Sequence, residues 1–207
     1  MSYSRAVQHL AMHQSGYEMN SPLLFGLFNQ FNEESYYEIL DITPANRLFM
    51  QYIEHLHCKV YLPGCDEQLM NINMEKLDTE NKIYRALSNN LMLYKKHKAK
   101  LNLILLWDLP NYLEPKLLSA LIQFLLIHCR DDVMLHCYIH TRENMPMLPA
   151  QYRFSEDQKV RVDQRAEQTC QSPMFYQESL QKLVLPFLVE KGMLLSNGLQ
   201  EYILRRR

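Results

Sequence analysis

The stretch from Leu101 to His140 constrains the fold of this chain more than any other part of the sequence. It begins with the apolar run LNLILLW, passes a turn at Pro110 and an apolar helical pattern from about Leu113 to Cys129, and ends in the alternating segment VMLHCYIH. An apolar run without alternation is typical of a parallel strand that is covered on both faces. We therefore predict a β-α-β unit at residues 101–140, within an α/β fold whose small, mainly parallel or mixed sheet is flanked by several helices.

Shorter elements are predicted around this unit. Proline suits the first helical position, so a Ser or Thr before proline predicts a helix start; such pairs stand at Ser21-Pro22, Thr43-Pro44 and Ser172-Pro173. Apolar periodicity predicts helices over residues 4–14, 48–56, 79–96 and 199–204, and strands over 36–42 and 58–62. Residues 142–169 are predicted to be mostly exposed loop, with one possible strand at 159–162. The whole is predicted to be one α/β domain, 1–207, with a helical C-terminal part at about 172–207.

Composition argues against several classes of function. The chain has 207 residues, only 5 glycines and a formal net charge of −1. Few glycines leave few places where the backbone can approach a phosphate closely, and neither a G-x-x-x-x-G-K-[ST] loop nor a G-x-G-x-x-G fingerprint occurs. The balanced charge gives no field that would recruit nucleic acid. The sequence therefore predicts no cofactor and no nucleic-acid partner.

The cysteines and the most apolar run bear on localisation. There are 5 cysteines at irregular spacing, which is an odd number and does not suit a disulfide framework. Reduced thiols are typical of the cytoplasm, and the N-terminus has no apolar core of a secretory signal. The most apolar run, residues 113–129, contains Glu114 and Lys116, so it is too polar to span a bilayer. We predict a cytoplasmic protein without direct membrane insertion.

Asp108 is the sharpest candidate for catalysis. It directly follows the predicted strand at 101–106, and ligands of open α/β sheets bind outside the carboxyl ends of the strands. A magnesium-nucleotide role would also need a phosphate-binding loop, which is missing, so Asp108 is predicted to cap the Pro110 turn or the next helix. The alternative left open is a hydrolase or nucleotide-dependent enzyme with an atypical site near Asp108. No catalytic residue is predicted in the main interpretation.

Two groups of histidines and cysteines raise the question of zinc, which binds imidazole and thiolate. The first group is His55, His57, Cys58 and Cys65. The second is His128, Cys129, His136, Cys137 and His140. Neither contains a C-x-x-C pair, and strand alternation places Cys137 on the face opposite His136 and His140. No metal site is predicted, and a zinc-stabilised module stays open as a further alternative.

Apolar helical surface is the remaining signal. The apolar helix faces are more numerous than one small sheet can be expected to cover, and methionine and tyrosine, both abundant here, are frequent at binding surfaces. This pattern favours a protein that binds other proteins. The residues predicted to contact a partner are Leu23, Leu24, Leu27, Phe28, Phe31, Leu183 and Phe187.

The opening MSYSRAVQHLAMHQSGYEMNSPLLFGLFNQ, the block LNLILLWDLPNYLEPKLLSALIQFLLIHCRDD and the chain length resemble the LvgA family, accessory virulence proteins of the Legionella Dot/Icm type IVB secretion system. The resemblance implies a non-enzymatic, chaperone-like adaptor for effector recognition. Its implied partners are the IcmS–IcmW chaperone pair, the C-terminal tail of the membrane coupling protein and secreted effectors. The resemblance also implies a cytoplasmic location, with the protein held at the inner membrane through the coupling protein. The family has no motif from which functional residues can be carried over.

Overall fold

The computed structural model describes residues 16–44, 46–77, 79–93 and 99–206. The strands are Gly16–Asn20 (β1), Tyr37–Asp41 (β2), Cys58–Tyr61 (β3), Leu101–Trp107 (β4), Cys129–His140 (β5), Asn144–Pro146 (β6), Gln151–Ser155 (β7), Lys159–Asp163 (β8), Thr169–Gln171 (β9), Phe187–Leu194 (β10) and Leu199–Arg206 (β11). The α-helices are Pro22–Phe28 (α1), Arg47–Tyr52 (α2), Asp66–Met70 (α3), Glu80–Leu91 (α4), Pro115–Leu126 (α5) and Gln177–Leu183 (α6).

A six-stranded mixed sheet forms the centre of the molecule, in the order β10-β11-β5-β4-β2-β3. Strands β3, β2, β4 and β5 are parallel, whereas β11 is antiparallel to both β5 and β10. The predicted α/β class is confirmed, and so is the β-α-β unit at 101–140, which is β4, α5 and β5. The chain passes from β2 outward to β3 and then returns to β4 on the other side of β2, so the strand order reverses between β2 and β4.

Burial explains why the β4–α5–β5 unit lies at the centre. Six of the seven residues of β4 are buried, as its unbroken apolar run predicts for a strand covered on both faces. Helix α5 begins at Pro115 and buries six apolar side chains: Leu117, Leu118, Leu121, Ile122, Phe124 and Leu125. At about 1.5–3 kcal/mol for each fully buried large apolar side chain, this unit supplies a major part of the hydrophobic stabilisation.

The segment predicted as mostly exposed loop, 142–169, is about half strand. Strands β7 and β8 pair with each other, and β8 also pairs with β1, to give a three-stranded antiparallel sheet; β6 pairs with β9. The possible strand at 159–162 is confirmed as β8, whereas the alternation in QYRFS, which forms β7, was missed. The alternating residues Tyr152 and Phe154 of β7 and Val160 and Val162 of β8 are buried, which fits a sheet with one face on the core.

The predicted helical C-terminal part at about 172–207 is wrong beyond α6. Only Gln177–Leu183 is helical, and the helix predicted over 199–204 is strand β11. Short apolar runs do not distinguish a buried helix from a buried strand by periodicity. Here tertiary pairing decides, because β11 lies between β5 and β10 and buries Leu199, Ile203 and Leu204.

Other helix predictions are confirmed with shifted ends. Helix α1 begins at Pro22 as predicted, whereas α2 begins three residues after Thr43-Pro44, with the Asn46 side chain accepting the cap hydrogen bond from Leu48 N. Helix α4 ends at Leu91, earlier than predicted. The helix predicted over 4–14 lies outside the described residues. Within the described part of the chain, no helix combines the length and apolarity that crossing a bilayer requires.

Candidate active site

The carboxyl ends of β2, β4 and β5 meet at one edge of the sheet because these strands are parallel. Polar or aromatic side chains stand at each end: Asp41 closes β2, Trp107 closes β4 with Asp108 directly after it, and His140 closes β5. Open α/β sheets bind ligands at this edge, and most often where the strand order reverses. This edge therefore has two candidate ligand sites, the crevice between β2 and β4 and the space between β4 and β5.

The β2–β4 crevice is occupied by an internal hydrogen-bond cluster. Asp41 Oδ1 accepts hydrogen bonds from Trp107 Nε1 at 2.7 Å, Thr43 Oγ1 at 2.7 Å and Thr43 N at 2.9 Å. Burial raises the pKa of Asp41 to about 6, although these hydrogen bonds oppose the rise. Trp107 has a left-handed backbone with φ 52°, which costs roughly 1–2 kcal/mol for a residue with a side chain. The hydrogen bond to Asp41 helps to offset that cost.

Aromatic rings close the β2–β4 crevice from the side of the small sheet. The Tyr152 ring stacks on Trp107 with centroids 5.1 Å apart and planes 5° apart, and Phe154 meets Trp107 edge-on at 6.2 Å. All three side chains are buried. The loop that follows β2 reads ITPAN and has no glycine that would let the backbone approach a pyrophosphate. A dinucleotide or adenosyl cofactor therefore does not fit the β2–β4 crevice.

The β4–β5 strand ends hold a different arrangement. The Asp108 side chain is 2% exposed, and its Oδ2 accepts a hydrogen bond from Ala150 N at 3.1 Å. His140 Nε2 lies 3.9 Å from the same oxygen, which is close enough for charge attraction but too long for a hydrogen bond. That nitrogen is buried and has no hydrogen-bond partner among the described residues. Burial raises the pKa of Asp108, and His140 and the Ala150 N–H only partly oppose the rise.

Asn111 fixes the positions of these two side chains. Its Nδ2 donates to the carbonyl oxygens of Asp108, at 2.7 Å, and of Tyr138, at 2.9 Å, while its Oδ1 accepts from His140 N at 2.9 Å. Asn111 thus joins the end of β4 to the end of β5. Asp108 occupies the predicted cap position of the 3-10 turn Leu109–Asn111, but its side chain makes no cap hydrogen bond there. The next helix, α5, has Glu114 rather than Asp108 at its N-cap.

Asp108 and His140 open into a cavity of about 120 Å³, which we call the strand-end cavity. Its wall also includes Tyr17, Arg142 and Asn197. Asn197 Nδ2 donates to the Tyr17 hydroxyl oxygen at 3.3 Å, so the phenol proton is free to be donated elsewhere. Burial raises the pKa of Tyr17, which keeps the phenol protonated. The cavity therefore combines a buried carboxyl, an imidazole, a phenol and a guanidinium.

Gly198 allows Arg142 to approach the cavity. A Cβ atom at this position would lie 2.6 Å from Arg142 Nε, and the Gly198 φ of +86° is one that residues with side chains rarely adopt. The turn between β10 and β11 therefore depends on glycine both for its conformation and for the place of the guanidinium. Sequence analysis missed Tyr17, Arg142 and Asn197, because these residues come from distant segments that only the fold brings together.

A third polar cluster is structural. Glu201, fully buried on β11, accepts hydrogen bonds from Ser21 Oγ at 2.5 Å, from His136 Nε2 at 3.0 Å and from the N–H groups of Leu23 and Leu24 at the start of α1. Burial acts to raise the pKa of Glu201, but the bonds from His136, Ser21 and Leu24 outweigh it and the pKa is lowered. Because the side chains of Glu201, Ser21 and His136 are all buried and two of the bonds come from backbone N–H groups of α1, this cluster stabilises the docking of α1.

The zinc hypotheses find no support in the geometry. Among the described residues, which include every histidine and cysteine considered for zinc, no three His, Cys, Asp or Glu side chains converge as metal ligands. Burial raises the pKa values of Cys65 and Cys129, each to about 12, so both thiols stay protonated near neutral pH. Zinc binds thiolate rather than thiol.

The residues predicted to bind a partner are mostly core residues. Leu24, Leu27, Phe28 and Phe187 are buried in the hydrophobic core, and the half-buried Leu23, Phe31 and Leu183 pack against it. The three-stranded sheet covers apolar side chains of α1 that one sheet would leave exposed, since Phe25 and Phe28 contact Phe154 of β7 edge-on. Contact of these residues with a partner protein stays a prediction.

Comparisons with known proteins give structural similarities alone. No protein-family model matches the chain, and no curated protein does either. Among solved structures, the pyocyanin biosynthetic protein PhzM matches with a TM-score of 0.47 and 9% identity, over 86% of this chain and 52% of that one, so this chain spans about half of PhzM. The glycopeptide N-methyltransferase MtfA with S-adenosyl-L-homocysteine matches with a TM-score of 0.47 and 7% identity, over 89% of both chains.

A methyltransferase from Methanosarcina mazei, described as SAM-dependent, matches with a TM-score of 0.43 and 11% identity, over 90% of this chain and 97% of that one. The resemblance to the LvgA family is contradicted, because no family model and no curated protein matches the chain and no secretion adaptor is among the structures named above. The predictions of a non-enzymatic, chaperone-like adaptor in type IV secretion and virulence are therefore wrong. No activity is carried over from the matched proteins. The implied protein partners are not tested and stay a prediction.

Proposed function

We propose that the chain is an enzyme that removes a proton from a small anionic substrate in the strand-end cavity and returns a proton to it. The observation that carries the proposal is the pair of Asp108 and His140, 3.9 Å apart, on the wall of that cavity. A buried carboxyl with a raised pKa beside a second titratable group is typical of acid–base catalysis. The pair stands at the carboxyl ends of parallel strands, where open α/β sheets bind ligands.

Each polar residue of the cavity has a role in this chemistry. The Asp108 carboxylate removes a proton from the substrate and later returns one, with its raised pKa bringing it nearer to neutral pH. The unpartnered His140 Nε2 and the Tyr17 hydroxyl supply hydrogen bonds to the oxygen on which negative charge develops. The Arg142 guanidinium pairs with a carboxylate or phosphate of the substrate.

Cavity size limits the substrate. Sites for drug-sized ligands measure about 300–1,000 Å³, whereas the strand-end cavity measures about 120 Å³. A small carbon acid that carries an anionic group, such as a short oxo-carboxylate, suits both this volume and Arg142. A proton on the carbon next to a carbonyl is the one that a buried carboxylate can remove.

Deuterium exchange tests this proposal. The full chain is incubated in D₂O with a panel of short oxo-carboxylates, and proton NMR follows loss of the C–H signal next to the carbonyl. Removal of that proton by Asp108 followed by return of a deuteron from solvent exchanges the signal without net reaction. We expect enzyme-dependent exchange with at least one compound and a loss of about 10²-fold or more in Asp108→Asn.

Asp131→Asn is the matched control, because Asp131 is fully exposed and lies near the amino end of β5, whereas the site lies at the carboxyl end. It should leave exchange unchanged. Trp107 gives an independent measure of binding, since it is the single tryptophan of the chain and directly precedes Asp108. A ligand that exchanges should also change Trp107 fluorescence. Absence of exchange across the panel, or equal exchange in Asp108→Asn, would refute the proposed activity.

For localisation we propose a reducing compartment, namely the cytoplasm. The proposal is supported by the cysteines, since Cys58, Cys65, Cys129, Cys137 and Cys170 are all free thiols. Free thiols persist where glutathione and thioredoxin keep them reduced.

A further inference from the structure

A second cavity, of about 450 Å³, opens beside the loop that follows β2. Three arginines line it, Arg47 at the start of α2, Arg153 on β7 and Arg161 on β8, and we call it the arginine cavity. Its described lining includes no Asp or Glu. Tyr152 is the one lining residue that it shares with the strand-end cavity.

Strand register brings two of these positive charges together. Arg153 and Arg161 are directly opposite each other on β7 and β8, an arrangement in which like charges repel. The buried carboxylate of Asp163 balances one of the two charges: its Oδ1 accepts from Arg161 Nε at 2.9 Å, and its Oδ2 lies 3.5 Å from Arg153 Nε. With Arg47 added, the cavity keeps an excess of about two positive charges. The side chains of Arg153 and Arg161 are each about half exposed, so anions in solution can reach them.

The loop wall of the arginine cavity adds an unused donor. Asn46 Oδ1 accepts from Leu48 N at 2.9 Å and fixes the amide, while the buried Nδ2 finds no acceptor among the described residues. A buried N–H without a partner costs about 1–3 kcal/mol, so the Asn46 amide is a donor with unused capacity in a residue of the cavity lining. Pro44, Leu48 and Phe154 give the cavity an apolar side beside its cationic one.

We infer that the arginine cavity binds a phosphorylated small molecule, with the phosphate between Arg47, Arg153 and Arg161 and the organic part against Leu48 and Pro44. Arginine forks match phosphate oxygens in paired hydrogen bonds, and the charge excess suits a ligand of about two negative charges. The volume lies within the range of about 300–1,000 Å³ for small-molecule sites. This site is separate from the proposed proton transfer and does not depend on it.

Calorimetric titration of the full chain with inorganic pyrophosphate at low salt tests the inference. We expect binding that weakens as ionic strength rises, because the guanidinium groups are partly exposed and therefore screened. Arg47→Gln and Arg153→Gln should each raise the Kd about tenfold or more. Arg161 is left intact because its Nε holds the buried Asp163. Arg85→Gln is the matched control, since Arg85 is exposed on α4 and does not line the cavity.

Two further arms separate the possible outcomes. Malonate, with two carboxylates, should bind at least tenfold more weakly than pyrophosphate, and tighter malonate binding would contradict the phosphate assignment. Asp108→Asn should keep the Kd for pyrophosphate, so failure of the proton-transfer proposal leaves this one standing. The inference is overturned if pyrophosphate does not bind, if Arg85→Gln weakens binding as much as the cavity variants, or if only one of the two cavity arginines matters.

Discussion

Two aspartates stand at the carboxyl ends of neighbouring parallel strands, and both are buried, but their surroundings differ. Asp41 at the end of β2 accepts three hydrogen bonds through one oxygen, in a crevice filled by Trp107. Asp108 after β4 accepts a hydrogen bond from Ala150 N, lies near the Tyr152 hydroxyl, and faces a cavity and His140. A carboxylate can accept about four hydrogen bonds. Burial alone therefore does not mark a functional carboxyl, whereas unused acceptor capacity beside a cavity does.

The largest expected effect separates the two aspartates by stability. Asp41→Ala leaves the buried donors of Trp107 and Thr43 without an acceptor, and at about 1–3 kcal/mol for each we expect a loss of roughly 3–5 kcal/mol in unfolding free energy. Asp108→Ala removes the acceptor of Ala150 N, but it does so beside a cavity from which water can replace the lost partner, so we expect a loss of about 1 kcal/mol. Urea denaturation followed by far-UV circular dichroism measures both. Equal losses would remove the distinction between a filled and an open strand end.

The next effect is the pH dependence that Asp41 imposes on stability. Its pKa is raised by burial from 3.8 to about 6 in the folded state, so between these values the folded chain holds a proton that the unfolded chain has released. Stability from this group is therefore complete below pH 3.8 and falls as pH rises to about 6, by about 3 kcal/mol in all.

Asp41→Asn tests the pH effect because it cannot ionise but can keep an oxygen acceptor for Trp107. The difference in unfolding free energy between wild type and Asp41→Asn should shift by about 2.5 kcal/mol between pH 4 and pH 8, in favour of the variant at high pH. Denaturant midpoints across this range give the measurement. Parallel pH profiles of the two proteins would show that Asp41 titrates alike in the folded and unfolded states.

The central fold could be predicted from the sequence because its signal is local. The unbroken apolar run of β4 and the apolar pattern of α5 each fit in one window, and chain order then gives the β-α-β unit. Strands β7 and β11 could not be assigned in the same way. Their runs are short, and they become strands through pairing with distant segments, β7 with β8 and β11 with β5. The pairing of β7 also places Phe154 against the apolar face of α1, which was one of the faces from which protein binding was inferred.

The candidate site was predictable only in part. Asp108 could be singled out because it follows a buried strand, and His140 because it ends one. Their meeting depends on the parallel register of β4 and β5, which the sequence implies. Tyr17 and Asn197 reach the cavity from segments that are 180 residues apart in the chain, and no local sequence pattern links them.

The smallest expected effect compares two glycines. Gly198→Ala places a side chain at a φ of +86° and within 2.6 Å of Arg142 Nε, so we expect a loss of about 1–3 kcal/mol in unfolding free energy together with displacement of the guanidinium. Gly26→Ala meets nothing within 4 Å in helix α1, and alanine is favoured over glycine there by about 0.8–1.0 kcal/mol. The temperature of thermal unfolding should therefore fall in Gly198→Ala and rise in Gly26→Ala.

Ligand binding at the strand-end cavity should weaken in Gly198→Ala and stay unchanged in Gly26→Ala, because only the first substitution moves a cavity residue. Stabilisation by Gly198→Ala with Arg142 still in place would mean that the turn tolerates a side chain and that the guanidinium does not depend on glycine for its position.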